Sequence, residues 1–450
     1  MARAARRARE QTRHPGLLLS LAATRRWLAS ALIMATAACA NTGEPPGGPP
    51  DEKPPVVLGV FPESGAVVPD LRGDAVIQYD GVIDELSGAG GGGSVGVTGL
   101  AARVLLSPTR GPVNVSWHRS SIHVKPAEGW KPGRVYRLEV LPGIADLRRN
   151  LTKERRVIVF STGPDIPQAS LSGVAVQWVE QRPLTGGLIR AVPLPDTIPY
   201  LAVTDSSGAF RLDPLPPGRY AVFAVVDQNG NRLRDRREAY DSMLVTLDSS
   251  AAIVLWAFSH DTTGPRLRQV DPIDSSSARL TFTQPLDPAL PLDSLRVRVL
   301  ALPDSIPLRV RGVFTLAAFD SLTARERAAA DSARAAADTT RPDTAPTAPG
   351  QAGRPGPATQ AEDTAAVRLI LRQRPIPQDK LILRVDSTFT PGNRYYVEVR
   401  GARNLSGARA EAHTVLVVPK PKPVPVPRAD TSRARPDSAR APGDSTRPPS

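Results

Sequence analysis

The sequence predicts an all-β protein of tandem β-sandwiches with disordered termini and one low-complexity insertion. Three observations carry this expectation. Apolar residues recur at the two-residue period of strands, in short runs bounded by Gly, Pro, Asp or Ser. Proline and glycine are abundant, 47 and 35 of 450 residues, which implies many turns and edge strands. Aromatic residues are only 5% of the chain, so its cores must be built from Val, Leu and Ile. A chain of this length accommodates about two to four domains.

The first element, residues 1–38, is an address. It holds seven Arg against one acid, Glu10, and then a short apolar run from Trp27 to Ala38. A basic start, a short apolar stretch and small residues before a cut site define a signal peptide. The apolar run falls short of the roughly 20 residues that span a membrane. Thr36-Ala37-Ala38-Cys39 resembles the lipobox of bacterial lipoproteins, with Thr36 where Leu is usual. The resemblance implies that Cys39 becomes the new N-terminus and carries the lipid. Ala40, rather than Asp, then favours the outer membrane. Arg25-Arg26 also resembles a twin-arginine signal. General secretion is the expectation, because nothing points to a cofactor inserted before export. Residues 39–53 are rich in Pro and Gly and read as a flexible tether.

Cys39 is the single cysteine, so the chain offers no internal disulfide and no Cys-rich zinc site. Of the net charge of +13, the short leader supplies +6, and the later Arg residues are dispersed among Asp and Ser. No basic helix or basic run interleaved with aromatics is present, so nucleic acid is not an expected partner.

From Val56 to Thr162 five strand-like runs follow one another, among them Ala75–Tyr79, Val135–Val140 and Arg156–Phe160. A Gly-rich loop, Ser87 to Gly99, interrupts them and is too entropic for a strand. Phe61-Pro62-Glu63-Ser64-Gly65, Lys131-Pro-Gly-Arg-Val-Tyr136 and Phe160-Ser161-Thr162-Gly163 resemble the bacterial Ig-like domain of the SbsA type, over residues 54–163.

The second unit, residues 170–258, carries Thr204-Asp-Ser-Ser-Gly-Ala-Phe-Arg-Leu212 and Leu215-Pro-Pro-Gly-Arg-Tyr-Ala-Val222. Asp205 and Gly208 supply a turn between alternating strands, and Tyr220 can enter the core. These motifs resemble the carboxypeptidase regulatory-like, prealbumin-like β-sandwich, whose members are non-catalytic companion domains.

The third unit, residues 264–419, ends in Phe389-Thr-Pro-Gly-Asn-Arg-Tyr-Tyr-Val-Glu-Val399. That run repeats Trp130-Lys-Pro-Gly-Arg-Val-Tyr-Arg-Leu-Glu-Val140 at the same offsets, so a second Ig-like domain is expected. Residues 320–366 interrupt it with Ala, Arg, Asp, Thr and Pro. Within them Leu322 to Asp338 reads as an Ala-rich helix with little to bury, and Thr339 to Ala366 as disordered. The tail, 420–450, is Pro-rich and then Arg/Asp/Ser-rich, and should be extended.

One constellation offers binding chemistry. Asp227, Asn229, Asn231, Asp235 and Glu238 stand at positions 1, 3, 5, 9 and 12 of a loop, the oxygen-ligand spacing of an EF-hand calcium site. Arg232 occupies position 6, where Gly makes the sharp turn, and four Arg in the loop oppose a cation. A solvated hairpin loop is the competing reading. No cofactor is otherwise expected. His118, His123, His260 and His413 lack zinc spacing, and no nucleophile elbow or phosphate loop occurs, so no enzyme is expected. Trp117, Trp130, Trp178, Trp256 and Tyr200 would serve as a sugar platform only if exposed together; such residues are more often core. The sequence therefore predicts a non-enzymatic envelope lipoprotein whose modules are structural or protein-interaction domains, anchored to the membrane by lipid. Its alternative is a surface polysaccharide- or ligand-binding protein assisted by calcium.

Overall fold

The computed structural model describes residues 51–87, 98–337 and 366–420. Cys39 and the leader, most of the tether, the middle of the Gly-rich loop, residues 338–365 and the tail from 421 lie outside the described residues. The described chain folds into successive, mainly antiparallel β-sandwiches, each with its own apolar core.

The first sandwich contains β1 (Val57–Phe61), β2 (Ala75–Tyr79), β3 (Val104–Ser107), β4 (Val113–His118), β5 (Ser121–Pro126), β6 (Val135–Val140) and β7 (Arg156–Ser161). Its sheets run β1-β2-β5-β4 and β3-β6-β7. Lettered A to G, these are the ABED and CFG sheets of a constant-type Ig domain. Alternation turns Tyr136 and Leu138 of β6 inward against Ile77, Ile122 and Phe160. The Tyr136 hydroxyl accepts the Lys131 N–H at 2.8 Å, the tyrosine corner that pins strand F.

The second sandwich contains β8 (Ala169–Gln177), β9 (Arg182–Pro183), β10 (Leu188–Leu194), β11 (Tyr200–Val203), β12 (Ala209–Leu215), β13 (Gly218–Val225), β14 (Tyr240–Leu247) and β15 (Ser250–Ala257). One sheet runs β11-β10-β13-β14; the other runs β12-β8-β15, with β15 parallel to β8. The expected Asp205 turn forms. The Asp205 carboxylate accepts the N–H groups of Ser207 and Ala209 at 2.9 and 3.0 Å. Gly208 has φ +79, and a Cβ there would stand 2.4 Å from the Ala175 carbonyl, so only glycine fits.

The third sandwich contains β16 (Leu267–Pro272), β17 (Ser277–Leu286), β18 (Arg296–Leu302), β19 (Ile306–Leu308), β20 (Val310–Phe314), β21 (Gln378–Val385), β22 (Arg394–Arg400) and β23 (Ala412–Val417). Its orders, β16-β17-β21-β20 and β19-β18-β22-β23, repeat the first sandwich with one added strand beside strand C. The Tyr395 hydroxyl accepts the Thr390 N–H at 2.8 Å, five residues upstream, as Tyr136 does. A second repeat escaped the sequence reading. Asp146 accepts the N–H groups of Arg148 and Asn150, and Asn404 those of Ser406 and Ala408. Three residues after each, Arg149 and Gly407 turn to φ 68 and 83. Tyr395→Phe keeps the ring and removes the corner hydrogen bond. It should lower stability by about 1 kcal/mol in urea unfolding, with Tyr136→Phe close to it.

The insertion lies between strands D and E of the third sandwich. In the first sandwich the same connection is a tight hairpin from His118 to Ser121, with Arg119 at φ 55. Such exposed hairpin tips tolerate insertion. The long helix spans Leu316–Ala337, starting six residues before the expected Leu322. Thr315 explains the earlier start: its hydroxyl accepts the Ala318 N–H at 3.2 Å, an N-cap. The helix also has an anchor that an all-Ala face lacks, because Phe319 is buried near Phe314. Residues 366–371 form a second, short helix, which includes Ala366, the last residue of the run that the sequence reads as disordered.

Candidate functional site

Two places bring side chains of different sandwiches together. The first is the outer face of β6. All six of its residues are buried, including Arg137 at 2% and Glu139 at 0% exposure. A strand of an isolated sandwich would leave that face in water. Here β11 and β12 cover it. Arg137 pairs closely with Glu139 and donates to the Leu201 and Arg211 carbonyls at 3.3 Å. Arg155 approaches Glu139 Oε1 to 3.0 Å as an ion pair and donates to the Val203 carbonyl at 2.6 Å. The Leu201 N–H donates to Ser107 Oγ at 3.1 Å, and Arg134 pairs with Asp196 at 3.5 Å. The seat is thus an Arg–Glu–Arg group, Arg137 and Glu139 buried and Arg155 half-buried, whose terminal guanidinium nitrogens donate to carbonyls of the next sandwich, while Arg137 Nε has no partner among the described residues.

The second place is the outer face of β8 and β15. Val174, Val176, Trp178, Val254 and Trp256 form an apolar patch, covered by Val367, Ile370 and Leu371 of the short helix. The Arg374 guanidinium lies 5.5 Å from the Trp178 ring and 5.0 Å from that of Trp256, a cation–π cover. Trp178 Nε1 donates to the Pro375 carbonyl at 3.2 Å. The end of the insertion is a strap from the third sandwich to the second.

The aromatic residues do not form a sugar platform. Trp117 and Trp130 donate their indole N–H groups to the Ile83 and Gly73 carbonyls and pack on the first core. Tyr200 is buried in the second core, and burial pushes its hydroxyl up to about 12. Tyr240, His260 and Phe258 stack on one another, with His260 3.9 and 4.1 Å from its two neighbours. Burial holds His260 below its ordinary value, against the opposing pull of the Phe258 carbonyl. Arg234 lies 4.5 Å from the Tyr240 ring. The sequence reading missed this run because the pairing of Tyr240 with Phe258, which brings His260 over both rings, is set by the register of β14 against the residue after β15 and not by spacing in the chain.

The five proposed calcium ligands share the loop between β13 and β14. Asp227 accepts the N–H groups of Asn231 and Arg232 at 3.2 and 2.9 Å. Asn229 and Asn231 accept those of Asn231 and Leu233 at 3.0 and 2.8 Å. Glu238, 5% exposed, accepts those of Gln228 and Asp235, both at 3.1 Å. The Asn229 and Asn231 amides donate to Asp235 Oδ2 at 2.7 and 3.0 Å. In this arrangement amide N–H groups, not oxygens, face Asp235. A cation would require both amides to rotate. Among the described residues, no group of three His, Cys, Asp or Glu side chains is placed to hold a metal ion. The backbone is nevertheless shaped for such a loop: Arg232 adopts φ 61, the left-handed turn for which Gly is usual at position 6. Its guanidinium donates to the Ala101 carbonyl of the first sandwich at 2.6 Å, which ties the loop to the same junction. Burial lowers the Arg232 pKa, with Asp227 pulling the other way.

His123 pairs with Asp74 at 3.5 Å and its ring lies 4.1 Å from His118, while His413 lies beside Tyr396. Cys39 lies outside the described residues.

No family model matches the chain, and no curated protein matches it. Among solved structures it is similar to the major pilin subunit of Bacillus cereus, at 8% identity over 43% of this chain and 67% of that one, TM-score 0.16. It is similar to the Bacillus anthracis TIE protein at 9% identity, over 58% of this chain and 48% of that one, TM-score 0.16. It is also similar to a candidate carbohydrate binding protein from Bacteroides uniformis, at 9% identity over 56% of this chain and all of that one, TM-score 0.16. The chain spans about half the length of the TIE protein. TM-scores this low carry no functional assignment.

Proposed function

We propose that this protein is a non-enzymatic lipoprotein of the bacterial cell envelope, held at the outer membrane through Cys39, whose docked β-sandwiches serve as a structural and protein-interaction scaffold. The observation that supports this reading best is the pair of junctions. The most deeply buried ion group in the described residues, Arg137 with Glu139, seats one sandwich on the next, and the insertion straps the second to the third. A spacer needs its modules fixed relative to one another. The first sandwich is SbsA-type and the second carboxypeptidase regulatory-like in this reading, on the motifs around Tyr136 and Tyr220. A lipid at Cys39 and a Pro/Gly tether give the scaffold its location. The test is metabolic labelling with a clickable palmitate analogue and membrane fractionation. The wild type should be labelled and membrane-bound, and Cys39→Ala should lose both. A soluble, unlabelled wild type would remove the anchor from the account.

A second reading, calcium-assisted binding of a surface ligand, has one observation in its favour, the left-handed Arg232. It requires the Asn229 and Asn231 amides to turn their oxygens towards the ion. Under this reading the melting temperature rises with the logarithm of calcium concentration, and Asp227→Ala abolishes the rise. A flat calcium response leaves the self-closed loop and the scaffold.

A further inference from the structure

A turn at one corner of the first sandwich holds the chain where it enters: Asn150 Nδ2 donates to the Asp51 carbonyl at 2.8 Å. The third sandwich uses the equivalent turn in the same way. There Asn404 Nδ2 donates to the Asp261 and Thr263 carbonyls at 2.8 and 3.0 Å, on the chain arriving from the second sandwich. The two turns differ in what they show to solvent. Asn404 is followed by Leu405, Ser406 and Gly407, and Leu405 is half-buried. Asp146 is followed by Leu147, Arg148 and Arg149. Leu147 is 71% exposed, and Leu151, after the turn, is 53% exposed. Val56, which lines one cavity with Leu151, is exposed as well. Arg149 holds φ 68, a backbone that Gly407 takes without strain in the repeat. Arg148, Arg149, Lys153 and Arg156 are exposed and make no ion pair among the described residues, nor does Lys53. Against them stand Asp51, Glu52 and Glu154. The Asp146 carboxylate is turned into the loop, where it accepts the Arg148 and Asn150 N–H groups and Asn150 Nδ2.

Exposed leucines flanked by arginines suit a membrane surface, where the apolar side chain enters the acyl boundary and the guanidinium stays with the phosphates. A glycan would leave Leu147 and Leu151 in water, and an uncharged bilayer would leave the arginines without a counter-charge. Cys39 stands twelve residues before Asp51, so a lipid there lies within about 40 Å of this corner by any path. We infer that the Leu147–Leu151 turn, with Val56, docks the first sandwich on a bilayer bearing anionic phospholipid. Leu147 and Leu151 enter the interface, and Arg148 and Arg149 lie on the phosphates. The inference rests on the lipid-anchor reading for its geometry: a short anchored reach keeps a weak contact at high local concentration. Each arginine adds about fivefold to such partitioning.

Protein grown with the palmitate analogue is extracted from membranes and reconstituted in vesicles of phosphatidylcholine, with or without phosphatidylglycerol. Amide exchange is then read by mass spectrometry. Residues 147–153 should exchange more slowly on the anionic vesicles, while residues 405–409 of the third sandwich exchange equally on both. Arg148→Ser combined with Arg149→Gly installs the repeat's own turn and so keeps the fold. It should remove the protection, as should 1 M salt, where the Debye length is about 3 Å. Labelled protein that exchanges equally on both vesicles, or a double variant that stays protected, overturns the docking face and leaves the anchor. Unlabelled protein removes the anchor, and docking is then read by co-sedimentation of that soluble protein with the same vesicles. A preference for anionic vesicles, weakened about 25-fold in the double variant, supports the docking face. No preference overturns it.

Discussion

Glu139→Ala should destabilise the first two sandwiches by about 3–5 kcal/mol, the usual loss when one partner of a buried ion pair is removed. The reason lies in what remains. Arg137 is 2% exposed, and without Glu139 it would be a buried cation with only carbonyl partners. Arg155 would lose its carboxylate as well. The repeat supplies an internal control. Glu398 occupies the same position on strand F of the third sandwich, but its partners Arg298 and Arg400 are 64% and 49% exposed. Water screens that group, so Glu398→Ala should cost clearly less than Glu139→Ala. Urea unfolding of both variants, followed by circular dichroism, checks the difference. Equal losses would mean that β11 and β12 do not cover β6 in solution.

Trp256→Ala should cost about 3–5 kcal/mol and also release the strap, since the indole is 3% exposed and forms the centre of the covered patch. Deleting it opens a cavity beneath Val367 and removes one of the two faces under Arg374. The second effect is the more specific one. Limited trypsin digestion should cut after Arg368 or Arg372 much faster in the variant than in the wild type. Unchanged protection of these sites would show that the strap does not depend on the tryptophans.

The repeat of Pro, Gly and Tyr was legible in the sequence because a tyrosine corner needs its turn and ring at a fixed offset. The Asp205–Gly208 turn was legible for the same local reason. What covers a strand is not local. Val135-Tyr-Arg-Leu-Glu-Val140 alternates in sequence as a half-exposed strand does, yet Arg137 and Glu139 are buried because another sandwich sits on them. Likewise, Trp178 and Trp256 read equally well as a platform or as packing, and only the return of residues 366–376 settles which. The calcium spacing is real as a pattern, and Arg232 even takes the required φ, but spacing does not report which way an amide points.

Differential scanning calorimetry of the protein tests the docked scaffold most directly. The first and second sandwiches should melt in one transition, because their shared ion group cannot be exposed on one side alone. Glu139→Ala should split that transition in two. Independent melting of the sandwiches in the wild type, indifferent to Glu139→Ala, would contradict the account and leave a string of unconnected modules.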